Sequence, residues 1–254
     1  LCNLVTTSPE LDNFDLQKFA TFLKNIFGKR LAGLIHTIND EVGDRTIATS
    51  GSLNLIYGKD KIVEKLLDLK FEISMKSFFQ TNPKCAEKLY NKVIEYVLED
   101  KTKVDNTIIM DLFCGTGTIG QIVASKSNNT QIVGVDIAAS AIEDAKENAK
   151  RNNVNGLKFY CSDVGKFLIA HPEYQNKIKT IILDPARAGI APKTLQKIIA
   201  LNADRMVYVS CNPATQARDT EILRDAGYLI KKISLVDQFP HTSHIETVVL
   251  FEKS

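Results

Sequence analysis

No run of this chain is both long and apolar enough to cross a bilayer. The longest stretch without a charge, Leu112 to Ser125, contains three glycines and falls well short of the ~20 apolar residues a spanning helix needs. The N-terminus reads Leu1-Cys2-Asn3-Leu4, with no basic segment ahead of an apolar core, so no signal peptide is predicted. Opening on Leu1 rather than methionine predicts a processed chain or, in preference, a segment of a longer protein. An excess of charge of one sign is lacking too. The 32 basic and 30 acidic residues leave +2, which neither demands nor excludes a nucleic-acid partner and confines any basic surface to a local patch. The five cysteines, Cys2, Cys85, Cys114, Cys161 and Cys211, are scattered and form no C-x-x-C pair. That argues against a disulfide framework and against zinc, and predicts a reduced, cytoplasmic protein. What is present is ordinary: 254 residues, 44% hydrophobic and 24% charged, enough for one or two domains with a proper core and incompatible with disorder.

Residues 1–75 read as a small α/β unit. Leu4–Thr7, Leu31–Ile38, Thr46–Ala48, Leu53–Tyr57 and Phe71–Ser74 read as strands, with turn residues at Asn39-Asp40 and Gly58-Lys59. Asp12 is a candidate N-cap for a helix over Asn13 to Phe27, stopped by Gly28. The chain then changes character, and the boundary falls near Ser74–Lys76. From Pro83 a helix runs to about Leu98. Seven short apolar runs follow, at Thr107–Phe113, Gln131–Val135, Leu157–Tyr160, Lys179–Leu183, Met206–Val209, Leu229–Leu235 and Thr247–Phe251. Segments of helical spacing such as Ser140–Asn152 and Pro192–Leu201 separate most of them. Strands apolar on both faces and separated by helices predict a parallel sheet covered on both sides.

The first sharp motif is Asp111-Leu112-Phe113-Cys114-Gly115-Thr116-Gly117, completed by Gly120. It is a strand, a glycine loop and a helix, and it satisfies G-x-G-x-x-G. Asp136 closes the next strand, where a carboxylate can accept both hydroxyls of a ribose. Nicotinamide dinucleotides and S-adenosylmethionine both use such a loop. Asp111, placed just before it, favours the cationic sulfonium over a pyrophosphate.

Three more segments narrow the reading: Ser77-Phe78-Phe79-Gln80-Thr81-Asn82, Leu183-Asp184-Pro185-Ala186-Arg187-Ala188-Gly189 and Val209-Ser210-Cys211-Asn212-Pro213-Ala214-Thr215. With the glycine loop and the tail Asp237-Gln238-Phe239-Pro240-His241-Thr242-Ser243-His244-Ile245-Glu246-Thr247, the chain closely resembles the S-adenosylmethionine-dependent RNA 5-methyluridine methyltransferases. That family modifies uridines in ribosomal and transfer RNA. The resemblance covers Ser77 to the C-terminus, and residues 1–75 resemble the family's small central domain more weakly. It implies an α/β fold. A Rossmann-like methyltransferase domain (76–254) with a seven-stranded, mostly parallel sheet follows a small α/β domain (1–75). It implies that Cys211 is the nucleophile and Glu246 the base that removes the C5 proton. Gln80, Phe113, Gly115, Thr118, Asp136, Asp163 and Asp184 line the cofactor pocket. Thr118 stands where many relatives have Asn and Asp136 where many have Glu; both keep a hydrogen-bonding group. Many members begin with an RNA-gripping β-barrel and a cysteine cluster holding an iron–sulfur centre. This chain starts after both, so no iron–sulfur cluster, no other metal and a weakened hold on RNA are expected. A monomer is the default, with an RNA base flipped into a pocket between the two domains.

The chemistry needs these residue types. Uracil C5 is a poor nucleophile until a thiolate adds at C6 and pushes electrons towards it. A free thiol has a pKa of about 8.5, so activation of Cys211 by its neighbours is expected. His241 and His244 compete with Glu246 for the base role on residue type alone. Asp184 can meet uracil N3–H, the cofactor, or both. Arg187 can meet phosphate or a uracil carbonyl, or lie on a solvated loop. Phe78 and Phe79 read as core before they read as stacking platforms. Lys76, Lys84 and Lys88 read as solvated surface before they read as a basic edge. The competing readings are a nicotinamide-dependent oxidoreductase resting on the glycine loop alone, an inert RNA-binding fragment, and an RNA 5-methylcytidine enzyme.

Overall fold

A computed structural model describes residues 1–8, 14–40, 53–75, 78–99, 107–127 and 130–254. The chain divides into two compact units, Leu1–Glu64 with Glu72–Ser77, and Lys65–Phe71 with Phe78–Ser254.

In the first unit β1 (Cys2–Thr6) pairs in parallel with β2 (Gly33–Ile38), which pairs antiparallel with β3 (Leu53–Gly58). Helix α1 (Leu16–Phe27) is capped by Asp15, whose carboxylate accepts from the Lys18 N–H at 2.9 Å. The predicted cap, Asp12, and Asn13 lie outside the described residues, as does the predicted strand Thr46–Ala48. Gly28 ends the helix at φ 52°, a left-handed stop that needs no Cβ. Sequence reading misses one strand. β4 (Lys61–Leu66) and β5 (Leu69–Ser74) form a two-stranded sheet, joined by Leu67 at φ 45° and Asp68 at φ 75°. Two successive positive φ angles are those of the tight I′ hairpin turn, normally signalled by Asn-Gly. Leu-Asp carries no such signal.

The second unit is built on seven strands: β6 (Ile108–Leu112), β7 (Gln131–Asp136), β8 (Leu157–Cys161), β9 (Ile178–Leu183), β10 (Arg205–Ser210), β11 (Tyr228–Val236) and β12 (Glu246–Lys253). Their spatial order is β11-β12-β10-β9-β6-β7-β8. Neighbours from β8 to β10 are parallel, and β12 runs antiparallel to both β10 and β11. This is the seven-stranded, mostly parallel α/β sheet expected from the sequence.

Helices α2 (Pro83–Val97), α3 (Thr118–Lys126), α4 (Ala139–Arg151), α5 (Val164–Ala170), α6 (Pro192–Ile199) and α7 (Pro213–Asp225) connect the strands and cover them. Two of these helices start on an Asn-Pro pair. Asn82 and Asn212 cap α2 and α7 through their side chains, and Pro83 and Pro213 take the first helical turn, where no N–H is needed. Alternation along each strand splits the core in two. Ile109, Ile182, Val207, Val209, Val248 and Leu250 pack on the α2–α3 face. Met110, Ile181, Leu183, Met206, Tyr208, Val249 and Phe251 pack on the α5–α7 face. Both faces are therefore buried, as the unbroken apolar runs demand. Leu66 and Phe71, from the tip of the β4–β5 hairpin, are fully buried in the first of these clusters. No helix among the described residues is long and apolar enough to cross a membrane.

Candidate active site

The candidate residues gather at one edge of the sheet. β6 leads into Phe113 and Gly115, and β7 ends on Asp136. Asp163 follows β8 by one residue of turn, Asp184 follows β9, and Cys211 follows β10. β12, running the other way, begins at Glu246. The carboxyl ends of parallel strands, beside the point where strand order reverses (here between β6 and β9), are where open α/β sheets bind ligands.

The glycine loop is held open by backbone geometry. Phe113 adopts φ 62°, Gly115 52° and Gly117 67°, and a non-glycine residue at positive φ marks strain stored at a site. The N–H groups of Phe113 and Cys114 donate to the Val135 carbonyl at 2.9 and 3.2 Å. Gly115 N–H donates to Asp136 Oδ2 at 2.9 Å, and Asp136 Oδ1 accepts from Ala138 N–H at 2.8 Å. A Cβ at Gly115 would meet nothing within 4 Å, so the loop faces free space there. Thr118 is buried, its hydroxyl 2.9 Å from that of Thr116.

Asp111 lies at the end of β6 just before the loop, as the sequence places it, in the same row as Ile109. Its Oδ2 accepts from Gly120 N–H at 3.0 Å and so holds the start of α3. Its Oδ1 has no hydrogen-bond partner among the described residues. Burial pushes its pKa up to about 7, against the pull of the Gly120 N–H.

Gln80 is buried and accepts from Gln238 Nε2 at 3.3 Å. The same Nε2 donates to the Asn82 carbonyl at 3.2 Å, and Asn82 Nδ2 donates to the Gln238 carbonyl at 3.1 Å. The segment before α2 and the segment after β11 are thus interlocked. Gln238, fully buried, has no role in the sequence reading because a glutamine in a loop carries no periodic signal. Asp163 stands apart. It is exposed and caps α5, accepting from Lys166 N–H at 2.9 Å, and no hydrogen bond among the described residues joins it to the other candidates. Of the two aromatics before Gln80, Phe79 packs against the core and Phe71, whereas Phe78 is 76% exposed, so the core reading holds for one of the pair. Lys84 and Lys88 are exposed on α2, and Lys76 lies outside the described residues.

Strand register brings Cys211 and Glu246 together. Ser210 pairs with Thr247 across β10 and β12, and the Thr247 hydroxyl donates to the Ser210 carbonyl at 3.2 Å. Cys211 and Glu246 are the next residues beyond that last pair, and the Glu246 charge acts on the Cys211 thiol. Burial raises the pKa of Glu246, with the Arg187 guanidinium pulling it down. Burial raises that of Asp184 to about 8, helped by the charges of Glu246, Asp111 and Asp136. The Cys211 thiol is likewise raised, by burial and by Glu246, with Arg187 opposing. The activation of Cys211 expected from the sequence is thus opposed: burial first, and then the Glu246 charge, raise the thiol's pKa against the pull of Arg187.

Arg187 Nη2 donates to His244 Nδ1 at 3.1 Å, so this histidine, a competitor for the base role, is engaged by a cation on an exposed loop. His241 is also exposed, at φ 70°. Tyr90 on α2 was not singled out from the sequence, since it shares the apolar face with Leu89 and Val93. It is buried, and its phenol pKa is raised by burial and by Asp184, Glu246 and Asp111, which puts it among the same acids.

Known proteins resemble this chain over nearly all its length. An RNA methyltransferase of Clostridium tetani is 45% identical over 250 residues, covering 98% of this chain and 52% of that protein. One of Clostridium acetobutylicum is 44% identical over 254 residues, covering 100% of this chain and 53% of that protein. The chain thus spans about half the length of the curated relatives it matches. The crystal structure of Pyrococcus abyssi tRNA (uracil-54, C5)-methyltransferase in complex with S-adenosyl-L-homocysteine superposes with a TM-score of 0.71 at 30% identity, over 98% of this chain and 55% of that one. The family model for tRNA (uracil-5-)-methyltransferase matches residues 25–254, and the chain belongs to that family.

Proposed function

We propose that the protein transfers a methyl group from S-adenosylmethionine to C5 of a uridine in transfer or ribosomal RNA, through a covalent bond between Cys211 and C6. The observation that carries this reading is the meeting of β10 and β12 at Ser210 and Thr247, which brings Cys211 and Glu246 to one end of the sheet, where both feel the Arg187 charge.

The site fits the cofactor on its own evidence. Asp111, Asp136, Asp184 and Glu246 form an acidic cluster in which each charge raises the pKa of Asp184, so a cationic ligand relieves their repulsion. The loop at Gly115 is open, and each Asp136 oxygen keeps a lone pair for a ribose hydroxyl. Asp136, Gly115 and Phe113 would hold the nucleoside end, with Thr118 and Asp163 flanking; Gln80 and Asp184 would lie towards the reacting carbon. When bound, S-adenosylmethionine supplies an electrophilic methyl group.

Cys211, as thiolate, adds to C6 and sends the C5=C6 electrons onto C5 and O4. Arg187 stabilises that thiolate. Asp184 can accept from uracil N3–H and so fix the base against the thiol. Glu246, made more basic by burial, takes the C5 proton after methylation. The returning electrons restore the C5=C6 bond and expel the Cys211 sulfur. The base must leave its stack to reach the thiol.

The test is intact-mass spectrometry with a short RNA carrying 5-fluorouridine and S-adenosylmethionine. Fluorine cannot leave as a proton, so a methylated covalent adduct accumulates. The adduct is expected in the native chain and in Glu246→Gln, and is expected to be absent in Cys211→Ala. An adduct that persists in Cys211→Ala overturns the assignment of the nucleophile.

A further inference from the structure

We propose that Arg218 and Asp219 of α7 are positioning residues for this reaction, clamping the loop after β9 so that Arg187 stays beside the Cys211 thiol. The inference rests on the reading of Cys211 as the attacking thiol.

Asp219 is completely buried, and a buried carboxylate persists only when its oxygens are satisfied. Here each oxygen has two donors. Oδ2 accepts from Ile190 N–H at 2.8 Å and from the Tyr208 hydroxyl at 2.7 Å. Oδ1 accepts from Arg218 Nε at 2.9 Å and Nη2 at 2.7 Å. The same Nη2 reaches the carbonyls of Ala188 at 3.2 Å and Ile190 at 3.3 Å. One turn earlier, Asn212 Nδ2 and the Thr215 hydroxyl both donate to the Arg187 carbonyl, at 3.1 and 3.2 Å. The backbone from Arg187 to Ile190 is therefore pinned by side chains from the first two turns of the helix that follows Cys211.

Gly189 closes the clamp. It sits at φ 73°, and a Cβ there would lie 2.7 Å from Arg218 Nη2 and 2.8 Å from Asp219 Oδ2. Packing a helix on a sheet does not require a buried carboxylate tied to a half-exposed arginine, and apolar side chains serve stability as well. An ion pair aimed at loop backbone fixes a conformation instead. What this loop carries is Arg187, which among the described residues is the cation acting on a thiol that also feels Glu246 and Asp184. If the loop drifts, the thiol loses that stabilising charge.

The experiment follows alkylation of Cys211 by iodoacetamide against pH in the full chain, read on the Cys211 peptide by mass spectrometry, with thermal unfolding alongside. Arg187→Met is expected to move the midpoint upward and slow alkylation near neutral pH about three- to tenfold, a full unit of pKa being tenfold in thiolate. Arg218→Met is expected to reproduce most of that shift, Arg218→Lys to restore part of it, and Cys161 in the same samples to keep its profile. Asp219→Asn should behave as Arg218→Met does. If it fails to fold, Arg218, whose side chain is 48% exposed, carries the test. The clamp is overturned if Arg218→Met loses stability yet keeps the native midpoint, or if Arg187→Met itself moves nothing. Failure of the underlying reading shows separately, as methyl transfer surviving in Cys211→Ala.

Discussion

Asp111 and Asp184 hold their protons far above the ordinary carboxylate range, at about 7 and about 8, chiefly because they are buried. A carboxylate whose folded-state pKa is raised stabilises the fold below its unfolded pKa and loses that contribution as pH rises through the folded value. The chain is therefore expected to lose stability from these two groups between about pH 4 and 8. Asp111→Asn, which keeps an acceptor for Gly120 N–H, should be more stable relative to the native chain at pH 8 than at pH 5 in urea unfolding. An unchanged difference would remove Asp111 from the titration. Gly189 gives a second residue-scale expectation. With φ 73° and two polar atoms under 3 Å from any added Cβ, Gly189→Ala should cost about 2 kcal/mol.

At the scale of elements, the two Asn-Pro starts are where sequence and site meet. Asn82 both caps α2, accepting from Cys85 N–H at 3.3 Å, and donates to the Gln238 carbonyl at 3.1 Å. Asn82→Ala removes a cap worth about 1 kcal/mol and a part-buried hydrogen bond worth about another 1 kcal/mol. A loss near 2 kcal/mol in chemical denaturation is expected, against about 1 kcal/mol if the link to Gln238 contributes nothing. The helix start was legible, since Pro83 stands before an apolar-periodic run. The link was not, because Gln238 stands 156 residues away in a segment without periodicity.

For the whole molecule, the β4–β5 hairpin decides more than its length suggests. Phe71 and Leu66 are fully buried in the core of the second unit, whereas Val63 on the same hairpin is 57% exposed to solvent. Phe71→Ala should cost about 3–5 kcal/mol and Leu66→Ala about 2–5 kcal/mol, while Val63→Ala should stay within about 0.5 kcal/mol. Equal effects at Phe71 and Val63 in thermal unfolding would contradict that division. The strand Lys61–Leu66 escaped the sequence reading because its charges interrupt the alternation and its turn is Leu-Asp.

The sequence by itself determined the parallel sheet, because seven apolar runs between helical spacings have few other ways to bury both faces. It also determined which residue types end those strands, through motifs local to a few positions each. Only the tertiary structure decided what those residues meet. The antiparallel return of β12 brings Glu246 to the end of the sheet where Cys211 lies, and the Asp111 carboxylate is spent on Gly120 N–H at the start of α3. α7 folds back over the segment carrying Arg187. Each of these depends on strand order and register, which come from contacts between residues far apart in the chain and leave no periodic trace in it.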